Sequence, residues 1–304
     1  MTILVTGGTG FIGPKVVQAL RAQGREVRAL VRQPERATQL ARLGAELVSG
    51  DVTDPASLRT AVDGCTHVVH LVAILKGSPS DFQRVMTQGT ADLIAAAKDA
   101  QVERFVLMSA LGATETTKDI VPYFGAKWAM EQETTRSGLE YTIFRPGFVF
   151  GRDGGALPLF IKQVKYSPVV TVIGSGLQRI QPIWVEDVAE YFARGVDQPQ
   201  AANRTFEIGG PDVVTWNELY PRIAKALGKR RRLVHIPPSL ARTGAKLTQW
   251  APGAPLTTDQ VAMIESGDNV ASRSDAADTF QLPLVALDEQ LRLATSRTQA
   301  PAQT

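Results

Sequence analysis

The 304 residues carry 44% hydrophobic and 21% charged side chains with a formal net charge of +3, which excludes a disordered or fibrous chain and disfavours nucleic-acid binding. No apolar run reaches the roughly 20 residues of a membrane helix, and the start lacks the basic segment of a secretion signal. Because Cys65 is the one cysteine, an internal disulfide is excluded and a thiolate metal site is disfavoured, so we expect a cytoplasmic protein without a metal.

Residues 1–20 contain a pattern that binds the pyrophosphate of a dinucleotide. A short apolar run at 3–5 predicts a buried strand, and glycines follow at 7, 8, 10 and 13. Glycine permits a tight turn and a close approach of the backbone to phosphate, and the N-terminus of the next helix offers N–H donors. Pro14 fits the first helical turn, where its missing N–H would have no partner. We therefore expect a strand, a glycine turn and a helix that bind the diphosphate.

Strand and helix signals alternate through the first half of the chain. Strands are predicted at 26–31, 46–48, 67–74, 104–108 and 141–144, and helices at 81–100 and 123–137. Their continuous apolar runs indicate parallel strands buried on both faces, and right-handed crossovers then give an α/β, Rossmann-like doubly wound sheet.

The pattern changes in the second half, where prolines are frequent. We expect a dinucleotide-binding domain over 1–150 and a smaller substrate lobe over 151–304, with segments near 180–210 returning to the first domain. The tail at 294–304 lacks apolar periodicity and is expected to be flexible.

The end of the second predicted strand decides between the two nicotinamide coenzymes. A carboxylate there would bind the ribose hydroxyls of NAD, whereas an arginine pairs with the 2′-phosphate of NADP. This chain has Arg32 at the deciding position and Arg36 nearby, although two solvated arginines are the alternative interpretation. We expect NADP(H), with NAD(H) less favoured. Asp51, followed by Val52, ends the third strand region and is expected to accept a hydrogen bond from the adenine amino group.

Tyr123 and Lys127 are four residues apart on the helix predicted after the fifth strand, so they share one helix face. Reduction of a carbonyl requires a proton as hydride arrives, and a phenol can supply it. Since the ordinary phenol pKa of about 10 is too high for exchange near neutrality, Lys127 is expected to lower it while binding the nicotinamide ribose. Ser109 ends the fifth strand, where its hydroxyl would hold the substrate oxygen.

These motifs resemble the extended or atypical short-chain dehydrogenase/reductase superfamily, and the resemblance continues through FRPGFVFG, PIWVEDVAE and FEIGGPDVVTWNEL. It implies a seven-stranded NAD(P)-binding core with a variable C-terminal substrate lobe. The coenzyme contacts that the resemblance implies are Gly7, Gly10, Phe11, Ile12 and Gly13 at the pyrophosphate, Leu71 and Ala73 after the fourth strand, and Pro146, Gly147, Phe148 and Val149 near the nicotinamide. Within the superfamily, residues 230–238 and 256–270 most resemble the Rossmann-fold accessory subunit of respiratory complex I and its stand-alone bacterial relatives.

One departure from the superfamily concerns the catalytic hydroxyl. Extended reductases carry a Ser-Ser/Thr cluster after the fifth strand, but this chain reads Met-Ser-Ala-Leu-Gly, so Ser109 lies one or two residues before the usual position. The alternatives are the hydroxyl of Thr114, Thr116 or Thr117, or no catalytic hydroxyl at all. In the complex I relatives the coenzyme is regarded as structural.

Two functions therefore stay open. The first is hydride transfer to or from a small apolar carbonyl or quinone-like substrate. The second is a non-catalytic dinucleotide-binding accessory or sensor protein of a respiratory-type complex. The sequence carries no signal for the identity of the small-molecule substrate or for the oligomeric state.

Several further features are expected to be structural. His67 and His70 are three apart on a strand and face opposite sides, so they cannot share a metal. The basic run 229–232 would attract anionic lipid or an acidic partner, but a helix end and a solvated strand start are the preferred interpretation. Leu240, Leu247 and Trp250 are expected to pack under the second lobe. The alternative is that they line the mouth of a substrate site or make a weak membrane contact.

Overall fold

The computed structural model describes residues 1–248, 256–272 and 275–296. Its strands are β1 (Thr2–Thr6), β2 (Glu26–Val31), β3 (Glu46–Ser49), β4 (His67–His70), β5 (Arg104–Met108), β6 (Glu140–Pro146), β7 (Val149–Phe150), β8 (Val169–Ile173), β9 (Arg179–Ile180), β10 (Ile183–Trp184), β11 (Arg204–Ile208), β12 (Val214–Thr215) and β13 (Arg232–Ile236). Its helices are α1 (Gly13–Ala22), α2 (Thr38–Arg42), α3 (Pro55–Val62), α4 (Pro79–Asp81), α5 (Gly89–Asp99), α6 (Pro122–Arg136), α7 (Leu157–Tyr166), α8 (Val185–Gly195), α9 (Trp216–Ala226), α10 (Pro238–Thr248), α11 (Thr258–Glu265), α12 (Asp275–Phe280) and α13 (Leu287–Thr295). Short 3₁₀ turns are found at Pro34–Arg36 and Pro199–Ala201, and a π-helical stretch at Phe82–Gln88.

A seven-stranded parallel sheet in the order β11-β6-β5-β4-β1-β2-β3 forms the centre of the fold. The chain crosses from one half of the sheet to the other after β3, as in a doubly wound fold. Residues 3–5 of β1 are fully buried, because β1 lies between β2 and β4 with helices on both faces. The predicted α/β, Rossmann-like sheet is thereby confirmed.

The largest boundary differences follow β4. This strand ends at His70 and not at the predicted residue 74. The amide of Leu71 donates the last hydrogen bond to β1, at the carbonyl of Thr6. The helix predicted from residue 81 begins earlier, at Pro79, because Ser78 caps it through the amide of Asp81. The helix widens into the π-helical stretch before α5. The Met86 carbonyl of this stretch accepts a hydrogen bond from the Thr90 hydroxyl of α5 at 2.5 Å.

The chain divides into two compact units. The first contains the described residues of 1–147, 185–208 and 271–283, and the second those of 148–184, 209–270 and 284–304. Strand β11, within the predicted returning segment, pairs with β6 in the central sheet, and the first unit also takes up 271–283, which the sequence did not indicate. Ala294 and Thr295 belong to α13, and residues 297–304 of the predicted flexible tail lie outside the described residues.

Each unit has its own apolar core. In the first, strand residues such as Val68 and Phe105 pack against Leu93 and Met130 of the helices. In the second, Trp184 and Trp216 pack among apolar residues of α7, α9 and α13. Among the described residues no helix combines the length and the apolar character needed to cross a membrane.

Candidate coenzyme and active site

The glycine turn after β1 presses against the backbone that follows β4. Gly7 has φ +76°, and a Cβ on it would lie 2.9 Å from both the carbonyl carbon of Leu71 and the amide nitrogen of Val72. Only glycine adopts this left-handed conformation at low cost and leaves that space free. The turn is closed by the amide of Gly10, which donates to the Gly7 carbonyl at 3.1 Å.

Helix α1 begins directly at the end of this turn. A Cβ on Gly13 would lie 2.4 Å from the Gly8 carbonyl oxygen, so the helix start packs on the turn at a distance that only glycine allows. Ile12 occupies the N-cap position without a side-chain cap bond, and Pro14 is in the first turn, as predicted. The first amides of α1 therefore lack a side-chain acceptor and are suited to a bound anion. Phe11 and Ile12 are half-buried beside them.

The two arginines after β2 are both exposed. Arg32 follows the last residue of the strand, and Arg36 ends the 3₁₀ turn Pro34–Arg36. In the part of the chain that the structure describes, neither guanidinium pairs with a carboxylate. Both are therefore available to an anionic ligand.

The two coenzyme residues predicted after the third strand have different surroundings. Asp51 is half-buried, and its Oδ1 accepts from the amide of Thr53 at 2.9 Å and from the Thr53 hydroxyl at 2.8 Å. These bonds form a local turn that fixes the carboxylate in one orientation. Val52 is buried.

Lys127 is fully buried, and its Nζ donates to the Met108 carbonyl at 2.5 Å. Burial lowers the pKa of Lys127 to about 7, with the Glu131 carboxylate opposing the shift. This bond joins α6 to the end of β5, immediately before Ser109. The hydroxyl of Ser109, a residue 2% exposed, has no hydrogen-bond partner among the described residues. A buried hydroxyl without a partner is uncommon and is explained if a ligand supplies the partner.

Tyr123 lies one turn before Lys127 on α6 and is half-buried. Burial raises its pKa to about 12, so the expected lowering by Lys127 is wrong for the protein alone. The physical reason is that desolvation of the phenolate acts on Tyr123, while the amine of Lys127 is itself destabilised as a cation by burial and is bonded to a carbonyl. The phenol consequently stays protonated at neutral pH.

The alternative hydroxyls are engaged within their own loop. Thr114 Oγ1 lies 3.0 Å from Thr116 Oγ1 and 2.8 Å from Thr117 Oγ1, and Thr117 Oγ1 also donates to the Gly112 carbonyl. These bonds stabilise the turn after β5. Ser109 is the hydroxyl of this region that remains free for a ligand among the described residues.

His70 forms a buried polar bridge that sequence reasoning missed. Its Nδ1 lies 2.6 Å from the hydroxyl of Thr6, the residue before the glycine turn, and its Nε2 lies 3.0 Å from Thr90 Oγ1. Burial, aided by the charge of Lys127, lowers the pKa of His70 to about 3, so the imidazole is neutral. The interpretation as a structural strand residue agrees with this geometry, and no cluster that could hold a metal is found among the described residues.

An ion pair one helical turn after Lys127 was also not predicted from the sequence. Arg145, near the end of β6, donates from Nε and Nη2 to the Glu131 carboxylate at 2.8 and 2.6 Å, in a bidentate pair. Glu131 is one turn after Lys127 on α6 and is 2% exposed. The signal in the sequence was its position four residues after Lys127, but its partner is set only by the packing of α6 on β6.

The remaining predicted coenzyme residues follow β4 and β6. Leu71 is buried and Ala73 half-buried after β4. Pro146 and Gly147 end the first of the three segments of the first unit, and the Pro146 carbonyl accepts from the amide of Leu111 at 2.9 Å. Phe148 and Val149 belong to the second unit. There Phe148 packs edge-on against Trp216 with ring centroids 5.4 Å apart, and Val149 pairs with Ile183.

These features fit a nicotinamide dinucleotide. The backbone cradle at Gly7 and Gly13 would be filled by any side chain, and free guanidinium groups follow β2. Ser109 provides an unpaired hydroxyl at the end of β5. The fold and the site thus define a dinucleotide-binding α/β protein with a tyrosine–lysine pair and a serine of the kind that reductases use.

Comparison with known proteins specifies the family. The profile of the NAD(P)H-binding family matches residues 7–171, and that of the RmlD substrate binding domain matches residues 111–262. The chain belongs to the NAD(P)H-binding extended and atypical short-chain dehydrogenase/reductases.

Two relatives and one solved structure illustrate the similarity. Ceramide reductase of Caulobacter vibrioides is 30% identical over 252 residues, covering 82% of this chain and 78% of the relative. Photosystem II assembly factor Ycf39 of Cyanophora paradoxa is 29% identical over 257 residues, covering 82% of this chain and 77% of the relative. The NADPH complex of an Escherichia coli quinone oxidoreductase superposes with a TM-score of 0.78 over 95% of this chain and 98% of that chain, at 22% identity, and shows the shared fold.

Proposed function

We propose that the protein catalyses the NADPH-dependent reduction of a small apolar carbonyl or quinone-like substrate. The observation that carries the proposal is the buried, unpartnered hydroxyl of Ser109, directly after the carbonyl that anchors Lys127. A hydroxyl in this position can donate to a substrate oxygen, and such a bond also strengthens as charge develops on that oxygen.

Tyr123 is the proposed source of the proton that the reduction requires. When bound, the coenzyme supplies the hydride that reaches the substrate carbon. Tyr123 gives its phenolic proton to the substrate oxygen, Ser109 donates a hydrogen bond to the same oxygen, and the phenolate then recovers a proton from water. Burial raises the pKa of Tyr123 to about 12, so the phenol carries its proton throughout the neutral range, but a pKa this high also makes transfer of that proton less favourable.

Lys127 acts in this scheme mainly through position. Its bond to the Met108 carbonyl fixes the helix face that carries Tyr123 against the end of β5. The pair of Glu131 with Arg145 holds the next turn of the same helix. A ribose hydroxyl near Lys127 would find a donor whose position is already fixed, which limits the entropy lost on binding.

The preference for NADP(H) over NAD(H) is part of the proposal. It is supported by Arg32 and Arg36, which are exposed and without a carboxylate partner in the described ranges. Guanidinium groups bind phosphate with charge-assisted, planar hydrogen bonds. The carboxylate of Asp51 stays the predicted acceptor for the adenine amino group.

The names of the relatives do not point to one substrate. One relative is named as a ceramide reductase and another as a photosystem II assembly factor, and a solved structure of the same fold is named as a quinone oxidoreductase. The alternative of a non-catalytic accessory protein of a respiratory-type complex is not favoured. The narrower resemblance to the complex I accessory subunit and the cytoplasmic location stay predictions.

Turnover of the wild type and a Tyr123→Phe variant tests the proposal. NADPH consumption is followed by absorbance with a panel of apolar ketones, aldehydes and quinones, and Tyr141→Phe, which changes a half-buried tyrosine on β6, is the matched control. Loss of the general acid should lower kcat by about 10² to 10⁴-fold while NADPH binding is kept. Ser109→Ala should lower kcat, whereas Thr116→Val should not.

Two results would count against this function. Equal turnover by wild type and Tyr123→Phe removes the proton-donor role. NADPH binding without turnover of any compound in the panel favours the non-catalytic alternative.

A further inference from the structure

The second unit carries an exposed group of basic and apolar side chains that the proposed reaction does not use. This basic–apolar patch consists of Lys165, Tyr166, Val169, Arg230 and Arg232, all exposed. It is formed where α7 ends, β8 begins and β13 pairs with β8 in parallel. We infer that the patch docks on the surface of a bilayer that contains anionic lipids.

Specific contacts hold the patch together. Arg232 is the register partner of Val169, so their side chains project from the same face of the two-stranded sheet. Arg231 donates from Nε to the Val164 carbonyl at 2.7 Å, which ties the basic run to the last turn of α7. Lys165 Nζ lies 5.3 Å from the ring centroid of Tyr166. The sequence predicted a helix end followed by a solvated strand start. Arg230 and Arg232 are exposed, whereas Arg231 caps the end of α7.

The segments that form the patch contain few carboxylates. Residues 154–185 and 219–258 contain no aspartate or glutamate, although the whole chain has 30 acidic residues. The basic residues of these two segments are at 162, 165, 179, 222, 225, 229–232, 242 and 246. Three of them, Arg179, Arg222 and Arg242, pair with carboxylates of other segments. No carboxylate pairs with Lys165, Arg230 or Arg232 in the part of the chain that the structure describes. Such a field attracts an anionic surface.

Apolar exposure around these cations favours a lipid bilayer among anionic partners. Tyr166 is 71% exposed, and Leu159, seven residues earlier on the same face of α7, is 50% exposed. On β13, Val234 is 46% exposed on the face that also carries Arg232. Cations interspersed with aromatic and aliphatic side chains match the interface between lipid headgroups and acyl chains. A nucleic-acid surface would satisfy the cations but leave the aliphatic groups without a partner.

The patch also contains space for headgroups. A surface cleft of about 470 Å³ is lined by Pro168, Val169 and residues 230–232. Arg231 is engaged by backbone carbonyls, so Arg230 and Arg232 are the guanidinium groups that can bind a lipid phosphate in a bidentate manner. We therefore expect phosphate groups at the arginines and the ring of Tyr166 at the level of the glycerol backbone.

Vesicle flotation with the full chain tests the inference. The wild type should bind vesicles of phosphatidylcholine with phosphatidylglycerol at low salt, and should bind pure phosphatidylcholine vesicles far more weakly. Each basic residue near an anionic membrane contributes a factor of about five, so Arg230→Gln/Arg232→Gln should weaken binding about 25-fold. Arg231 is left intact because it caps α7. Tyr166→Ser keeps every charge and should weaken binding several-fold.

The controls separate docking from net charge and from misfolding. Arg59→Gln/Lys98→Gln removes two exposed cations from the first unit, which have no ion pair among the described residues, and should bind vesicles like the wild type. All variants should bind NADPH equally, since none changes a predicted coenzyme residue. Equal vesicle binding by wild type and the Arg230→Gln/Arg232→Gln variant overturns the inference. The absence of wild-type binding to anionic vesicles also overturns it. A third contrary result is full vesicle binding by Tyr166→Ser together with displacement of the vesicles by duplex DNA or polyglutamate.

Discussion

Replacement of the two arginines after β2 should remove the preference for NADPH. Arg32→Gln/Arg36→Gln keeps the side chains polar and of similar reach but deletes both charges. A hydrogen bond between charged groups contributes about 1.5–3 kcal/mol when shielded from water. Both arginines are exposed, so solvent and salt reduce this to about 1 kcal/mol each. The expected result is about 25-fold weaker NADPH binding.

The same variant should bind NADH within about twofold of the wild type, because NADH has no 2′-phosphate for the arginines to meet. Calorimetric titration of both coenzymes at low and at high salt measures the difference directly. NADPH affinity of the wild type should fall with salt, while that of the variant should respond much less. Arg42→Gln, at the exposed end of α2, is the control for a general loss of charge near the site.

Two results would refute this reasoning. One is a wild type that binds NADH as tightly as NADPH or more tightly. The other is a variant that loses the same factor for both coenzymes, since the arginines would then act on the fold or on a group that NADH and NADPH share.

Three further predictions concern stability. Gly13→Ala places a Cβ 2.4 Å from the Gly8 carbonyl oxygen, and thermal unfolding should show a loss of about 1–3 kcal/mol because α1 must shift; an unchanged Tm would contradict the close packing. Burial lowers the pKa of His70 to about 3, whereas the unfolded chain takes up this proton near pH 6.5. Stability from this group is therefore complete above about pH 6.5 and is lost as the pH falls toward 3, by up to about 1.4 kcal/mol per unit, and His70→Gln should reduce that slope in denaturant titrations. Glu131→Gln leaves Arg145 without its bidentate partner and should lower the free energy of unfolding, measured in urea, by about 3 kcal/mol. The double variant Glu131→Gln/Arg145→Gln should recover part of this loss, and additive losses would argue against a coupled pair.

The succession of strands along the first half of the chain and the glycine turn follow from local sequence. A buried strand, a turn and a helix start are each encoded within a few residues, as in the segment from Ile3 to Pro14, and the strands at 26–31 and 104–108 have the predicted bounds. Boundaries moved where a distant residue decides them. Strand β4 ends at His70 because only the amide of Leu71 continues the pairing with β1.

The candidate site was predictable as a set of residue types but not as an electrostatic environment. The spacing of Tyr123 and Lys127 is visible in the sequence, but the pKa of each depends on how much water the fold removes. That quantity has no local signal, so the expected effect of Lys127 on the phenol was wrong. The free hydroxyl of Ser109 and the engaged ones of Thr114 and Thr117 likewise depend on which atoms surround them.

By itself, the sequence determined a parallel α/β fold with a pyrophosphate turn, since backbone conformation and strand burial are encoded by glycine positions and apolar runs. Only the tertiary structure decided which polar groups are paired. His70 meets Thr6 and Thr90 across gaps of 64 and 20 residues, and Arg145 meets Glu131 between strand and helix. The physical reason is that hydrogen bonds and desolvation act over a few ångströms in space, whatever the separation along the chain.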